Sequence, residues 1–227
     1  MIDAYGKEGI GGLVSLSVMV LDLMFSWVFN FVLIPFDLRG LLRSFRVRGY
    51  EVVSGLPPVP FRGRLGGAGV IARKNEFEVY VDTDRQIIGV RRAISFDEFD
   101  PVIQDVRAIL TEDFDVDVSQ SLRYCEVLAA LRVRGENVID RIRRMPVGDV
   151  PELKRMVGEY GLIGFRIGSK DSLPTQSSWF DMEVHPEWTN PNKFFNINIV
   201  YRNPSEENVV AFARNLEKAA LHLLKVI

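Results

Sequence analysis

Two predicted β-hairpins, each followed by an amphipathic helix, constrain the fold of this 227-residue chain more than any other feature. Residues 76–82 alternate apolar and polar side chains, and residues 86–93 return after a short turn. Residues 177–185 and 193–202 pair through a loop rich in proline and asparagine. Alternation at period two beside apolar residues at helical spacing predicts an α+β protein.

Both hairpins lead into a helix that begins at a serine. Ser95 and Glu98 form a capping box ahead of a helix over residues 96–111. Ser205 precedes a second helix, which we expect to run to about residue 224.

The two halves of the chain share this order of elements. A strand, a helix, further strands, a hairpin and a final helix follow one another in residues 27–111 and again in residues 122–227. The acidic connector 112–121 separates the halves, and the apolar N-terminal segment 1–26 precedes them. The sequence therefore predicts two pseudo-repeated α+β halves.

Over residues 27–227, this order resembles the TATA-box-binding-protein-like topology in outline. In that family two pseudo-symmetric halves share one curved antiparallel sheet with helices packed on one face. The resemblance implies the same architecture here. No sequence motif of the family matches residue by residue, and a fold does not fix a function, so the resemblance assigns no functional residue.

The apolar run at residues 10–34 has two competing interpretations. It is long enough for a transmembrane helix, and Asp22 is its only charged residue. The arginines that follow would place the rest of the chain in the cytoplasm: Arg39, Arg43, Arg46 and Arg48. Alternatively, residues 27–34 form a buried strand that ends at Pro35, and the preceding residues pack on the core as a helix or strand.

A third alternative is a later start of the protein, at Met19 or Met24.

Cysteine and histidine content argues against disulfide and metal chemistry. Cys125 is the only cysteine, so no internal disulfide forms, and we expect a cytoplasmic protein, membrane-associated if the N-terminal run is an anchor. Cys125 lies in an apolar run and is predicted to be a small buried side chain. His185 and His222 lack the spacing of metal ligands, and the glycine-rich residues 63–69 lack the lysine and hydroxyl of a phosphate-binding loop. We expect no metal and no cofactor.

A basic stretch makes nucleic-acid binding an alternative function. Residues 39–94 contain eleven basic and five acidic residues with interleaved aromatic side chains, a mixture that suits phosphate contact and stacking. Residues 97–117 carry eight acidic residues against Arg107. We expect the two segments to neutralise each other in the fold, which does not favour this alternative.

Two groups of basic residues are candidate binding residues. Arg141, Arg143 and Arg144 lie on a short predicted helix, where they could hold a phosphate or a carboxylate. Arg73 and Lys74 belong to the basic stretch. For both groups a solvated or ion-paired surface is the competing interpretation.

The candidate catalytic residues are His185 and Glu187. They are the only histidine and carboxylate neighbours in a predicted loop, and such a pair can act as a general base in a hydrolase or transferase. Trp179 and Trp188 flank the pair and could line a pocket.

The leading hypothesis is a non-enzymatic binding or regulatory domain. Its small ligand or protein partner would bind the open face of the sheet or the loops at one end. This hypothesis rests on a folded composition without the histidine, cysteine and paired-carboxylate chemistry that most enzymes display. The sequence does not determine the ligand, the partner or the oligomeric state.

Overall fold

The computed structural model describes residues 17–30, 38–53, 68–92, 96–149 and 151–226. They form a nine-stranded antiparallel sheet with helices, which confirms the α+β class. The strands are β1 (Val18–Phe29), β2 (Glu51–Val52), β3 (Ala68–Lys74), β4 (Phe77–Asp82), β5 (Ile87–Arg91), β6 (Leu122–Arg134), β7 (Phe165–Gly168), β8 (Trp179–Pro186) and β9 (Phe194–Asn203). The helices are α1 (Leu38–Val47), α2 (Phe96–Ala108), α3 (Val118–Ser121), α4 (Val138–Arg143), α5 (Pro151–Val157), α6 (Glu206–Arg214) and α7 (Leu216–Val226).

The strands lie in the order β2-β3-β4-β5-β1-β6-β9-β8-β7. Every neighbouring pair is antiparallel. The first strands of the two predicted halves, β1 and β6, are therefore neighbours at the centre of the sheet. Their ladder runs from Val18 opposite Val133 to Phe29 opposite Leu122.

Strand β1 begins earlier than the sequence predicted. We expected a strand over residues 27–34, whereas β1 covers Val18–Phe29, and residues 31–37 lie outside the described chain. Phe25 and Trp27 on one face are fully buried, and so is Ser26 between them. Burial on both faces removes the apolar–polar alternation that reveals a strand, which explains the error.

Residues 18–29 of the apolar run therefore form a strand that pairs with β6, and residues 24–28 pair with β5 as well, so this segment does not belong to a membrane-spanning helix. Within the described part of the chain, no helix is both long and apolar enough to cross a bilayer. The division of the chain at residue 26 stays a prediction, although β1 crosses that boundary.

Helices α1, α2, α4, α6 and α7 bury their apolar sides in the same core as alternate strand residues. The ring of Phe99 on α2 lies 5.9 Å from that of Phe77 on β4, and Phe212 on α6 lies 4.3 Å from Tyr201 on β9. Full burial of one such large apolar side chain stabilises the fold by about 1.5–3 kcal/mol. These helices therefore cover one face of the sheet.

The opposite face is called the helix-free face below, since none of these five helices packs on it. Side chains on this face form cross-strand rows, because directly opposed residues point to the same side of a sheet. One row runs from β4 to β9 through Tyr80, Gly89, Ser26, Glu126 and Arg202. Polar rows of this kind are where a ligand or partner can reach the sheet.

Two predicted helices differ in detail. Helix α2 ends at Ala108 and continues as a π-helical turn, Ile109–Asp113. The helix expected over residues 205–224 is interrupted at Asn215, between α6 and α7. Ser205 caps α6 by accepting a hydrogen bond from the Asn208 amide, as predicted. The capping serine expected at residue 95 lies outside the described residues.

The halves contribute unequal numbers of strands to the described sheet. The first contributes β1 to β5, and the second contributes β6 to β9. In each half the first strand lies at the sheet centre and a helix follows the last strand. A relation between the halves by duplication stays a prediction.

Candidate functional site at one end of the helix-free face

A cluster of polar side chains lies on the helix-free face, at one end of β6, β8 and β9. Arg132 on β6 is directly opposite Asn196 on β9, which is directly opposite His185 on β8. Glu187 follows β8, and its amide donates to the Phe194 carbonyl at 2.9 Å. The antiparallel register therefore brings four polar residues from three strands to one end of the sheet.

An ion pair joins the ends of this cluster. The Arg132 guanidinium donates to the Glu187 carboxylate, and it lies 5.1 Å from the centre of the Phe194 ring. Glu187 is only 7% exposed, although it is charged and lies in a loop. Burial of a carboxylate is unfavourable unless it is fully paired, so this position is unusual for a loop residue.

Three polar atoms of the cluster are buried and have no hydrogen-bond partner: Arg132 Nε, Glu187 Oε2 and Asn196 Oδ1. Among the described side chains they are the only buried nitrogen or oxygen atoms in this state. Each lost hydrogen bond costs about 1–3 kcal/mol. Three such atoms in one cluster mark a place where the fold leaves polar groups free, as ligand sites do.

His185 and the neighbouring Trp188 extend the site. His185 Nδ1 lies 2.9 Å from the Pro186 carbonyl oxygen, so Nδ1 donates to it. The His185 ring stacks on Trp188 at 5.9 Å with an interplanar angle of 11°. A groove of about 460 Å³ is lined by both residues together with Ile163 and Gly164, and His185 is the member of the cluster that lines it.

The two predicted catalytic residues lie close in the fold, but no hydrogen bond joins them. The His185 ring contacts Trp188 and the Pro186 carbonyl, while Glu187 bonds Arg132. Arg132 and Asn196 were not predicted as site residues. Each is one of several polar residues in its strand, Arg132 beside Arg134 in β6 and Asn196 beside Asn198 in β9, so nothing local distinguishes them. Strand register was needed to unite them.

The predicted basic group on α4 does not form one site. Arg141 donates to the Leu224 carbonyl near the end of α7 and lies 5.6 Å from the Phe195 ring centre, which gives it a structural role. Arg143 and Arg144 are exposed. The three side chains therefore do not converge.

Arg73 and Lys74 lie on opposite faces of the sheet, because neighbouring residues on a strand point to opposite sides. Lys74 Nζ bonds Asp105 of α2 at 2.8 Å. Arg73 lies on the helix-free face, where it shares Glu78 with Arg91 and Arg92.

Glu78 is only 2% exposed and forms ion pairs at 2.9–3.3 Å with three arginines: Arg73, Arg91 and Arg92. Arg92 reaches it from a left-handed backbone conformation, with φ at 71°. Such a conformation costs a non-glycine residue about 1–2 kcal/mol, so the contact with Glu78 offsets strain.

Part of the expected neutralisation between the basic and acidic segments is present. Arg48 contacts Asp113 at 2.5 Å and Glu112 at 3.4 Å, and Lys74 contacts Asp105. The hydrogen bond from Arg48 lowers the pKa of the Asp113 carboxyl.

Cys125 is fully buried on the helix-covered face, and burial raises the pKa of its thiol well above the ordinary value. It is therefore no nucleophile in the folded protein. Among the described residues, no group of three or more histidine, cysteine or acidic side chains is arranged to hold a metal ion.

No protein-family model matches this chain. A search of curated proteins finds no match either. The function must therefore be inferred from the geometry of the described residues.

Proposed function

We propose that this protein is a non-enzymatic binding domain that holds a small polar ligand at the cluster of Arg132, Glu187, Asn196 and His185. One observation carries the proposal: three polar atoms of this cluster are buried without partners. Because these atoms are shielded from solvent, a ligand must displace the side chains that cover them, and the hydrogen bonds that it supplies then form away from water.

The free atoms define the chemistry of the ligand. Glu187 Oε2 and Asn196 Oδ1 require donors, whereas Arg132 Nε requires an acceptor. A planar group with N–H donors beside a carbonyl oxygen meets these requirements, as in a primary amide or a nucleobase. Trp188 is 61% exposed and offers a flat apolar surface for stacking next to the groove.

Catalysis by His185 and Glu187 as a hydrolase or transferase is the weaker alternative. Glu187 pairs with Arg132, and His185 has no carboxylate partner to orient it. Thr189 is the nearest hydroxyl residue along the chain, and it accepts only from its neighbour Asn190. These contacts support binding more than the nucleophile and base geometry of an enzyme.

The test is ligand-detected NMR against a panel of free nucleobases and primary amides. We expect Glu187→Gln to reduce binding of the best probe at least ~10-fold, which corresponds to one hydrogen bond to a charged group. Glu51→Gln is the control, since Glu51 is an exposed carboxylate on β2, at the opposite edge of the described sheet. The proposal fails if no probe binds, or if both variants bind equally.

A second readout separates a ligand site from a structural ion pair. Replacing both Arg132 and Glu187 with methionine should abolish binding and leave stability equal or higher, because residues kept for function are often suboptimal for stability. A strong loss of stability would instead show that the ion pair serves to stabilise the fold.

A nucleic-acid function through residues 39–94 has one supporting observation. Arg73, Arg91 and Arg92 share a single carboxylate and are 53%, 43% and 64% exposed, which leaves positive charge on the helix-free face. Retention on heparin at ~50 mM salt that falls when these arginines become glutamine would support this alternative. Absence of retention would remove it.

We also propose that the two halves are related by duplication and that the protein acts in the cytoplasm. The element orders β1-α1-β2-β3-β4-β5-α2 and β6-α4-α5-β7-β8-β9-α6 support two related halves of TATA-box-binding-protein-like topology. The buried single cysteine supports action in a reducing cytoplasm.

A further inference from the structure

Among the strands that the structure describes, β7 is a terminal strand of the sheet, with β8 on one side. The Ser169 amide donates to the Phe180 carbonyl at 2.9 Å, so alternate residues of β7 bond β8. The backbone N–H and C=O groups of Ile167 therefore point inward, and those of Arg166 and Gly168 point outward. The outer edge thus offers two donors and two acceptors to another strand.

Exposed apolar side chains are concentrated in the part of the chain that contains this edge. Of the eleven large apolar side chains exposed in the described chain, eight lie between residues 147 and 188. They are Val147, Leu153, Met156, Val157, Ile163, Ile167, Leu173 and Trp188. Ile163 and Trp188 line one groove together with Phe165 and Arg166 of β7, so exposed apolar surface lies directly beside the open strand. Apolar surface of this kind marks an interaction site.

We propose that two copies of this chain associate through their β7 strands, antiparallel, about a two-fold axis at Ile167. Arg166 then lies opposite Gly168 of the second copy, and the four outward groups of each strand are paired in one register. Ile167 meets its own counterpart as a pair without mutual hydrogen bonds, where side chains approach most closely. The contact is self-complementary, as a two-fold interface requires.

Charge complementarity favours a second copy over an unrelated strand. Arg166 bonds Asp181 at 2.5 and 2.6 Å, while Glu183 lies directly opposite Arg166 in the ladder. Gly168 is directly opposite Asp181. Because Gly168 has no side chain, Arg166 of the second copy can reach Asp181 across it. Each arginine then lies between carboxylates of both copies.

Cysteine cross-linking tests the register. Ile167→Cys places two thiols on the axis, at a Cα separation of about 4.5 Å, which a disulfide spans. We expect a covalent dimer under mild oxidation. Val47→Cys is the matched control, because Val47 is 79% exposed on α1, away from this edge. The native Cys125 is buried and does not interfere.

Sedimentation equilibrium of the unmodified chain gives the second readout. We expect twice the chain mass, and a monomer for Ile167→Lys, which sets like charges against each other on the axis. Val47→Lys should remain dimeric. A monomeric unmodified chain would overturn the proposal, as would a dimer that Ile167→Lys leaves intact. If a different partner occupied this edge, the unmodified chain would be monomeric.

Discussion

The hydroxyl of Tyr80 on β4 lies 2.5 Å from the hydroxyl of Ser26 on β1, across the intervening strand β5. The ring reaches this far because Gly89 lies directly between the two residues and has no side chain. A Cβ atom at Gly89 would lie 2.5 Å from the Tyr80 ring. The three residues thus form one packed unit on the helix-free face.

We predict that Gly89→Ala destabilises the fold by about 1–3 kcal/mol, the usual range for overpacking, because the Tyr80 ring must leave Ser26. In a Tyr80→Ala background the same change should have little effect. Urea denaturation of the four proteins in this double-mutant cycle measures the coupling. Equal costs in both backgrounds would show that the contact is not the cause.

The Tyr80 phenol should make stability pH-dependent. Burial raises its pKa from its ordinary value near 10 to about 12. The unfolded chain then loses its proton first, so the contribution is present below pH 10 and is lost between about pH 10 and 12. The stability gap between the unmodified chain and Tyr80→Phe should be constant from pH 7 to 9 and narrow above pH 10. A gap that stays constant to pH 12 contradicts the assignment.

Asp113 should make stability depend on pH in the opposite direction, with the loss at low pH. The hydrogen bond from Arg48 lowers its pKa below the ordinary value of 3.8. A lowered carboxyl pKa stabilises the fold above the unfolded value, and the contribution disappears as the pH falls through the folded value. Asp113→Asn should cost about 0.5–1 kcal/mol at pH 7 and little at pH 2.5, by urea denaturation. An equal cost at both pH values would exclude the ion pair as its source.

Breaking the ion pair of Glu126 and Arg202 should cost more stability than breaking that of Asp113, since their side chains are only 12% and 14% exposed. Arg202 also donates to the Pro174 carbonyl at 2.6 Å and lies 4.4 Å from the Tyr124 ring centre. Glu126→Gln should therefore destabilise the fold by about 3 kcal/mol, because a buried charge loses its counter-ion.

Replacing both Glu126 and Arg202 with methionine should recover most of that loss, because no buried charge remains unpaired. Thermal unfolding of the single and double variants measures the recovery. A double variant less stable than Glu126→Gln would show instead that the arginine acts through its stacking and carbonyl contacts.

Local patterns in the sequence determined much of the secondary structure. The strand predicted at residues 76–82 is observed as Phe77–Asp82, and the helix start after Ser205 is observed at Glu206. Strand alternation and helix capping depend on neighbours a few residues apart, so a sequence reveals them directly. His185 and Glu187 became candidates in the same way, because they are neighbours in the chain.

Tertiary structure alone decided the extent of β1 and the composition of the site. Ser26 is buried on the face opposite Trp27, where Tyr80 reaches it from another strand, and nothing local in the sequence indicates that contact. Arg132 and Asn196 join Glu187 through the pairing of strands that are distant along the chain. A one-residue slip would turn these side chains to the other face. The sequence by itself therefore determined the elements, whereas long-range pairing determined which of their side chains meet.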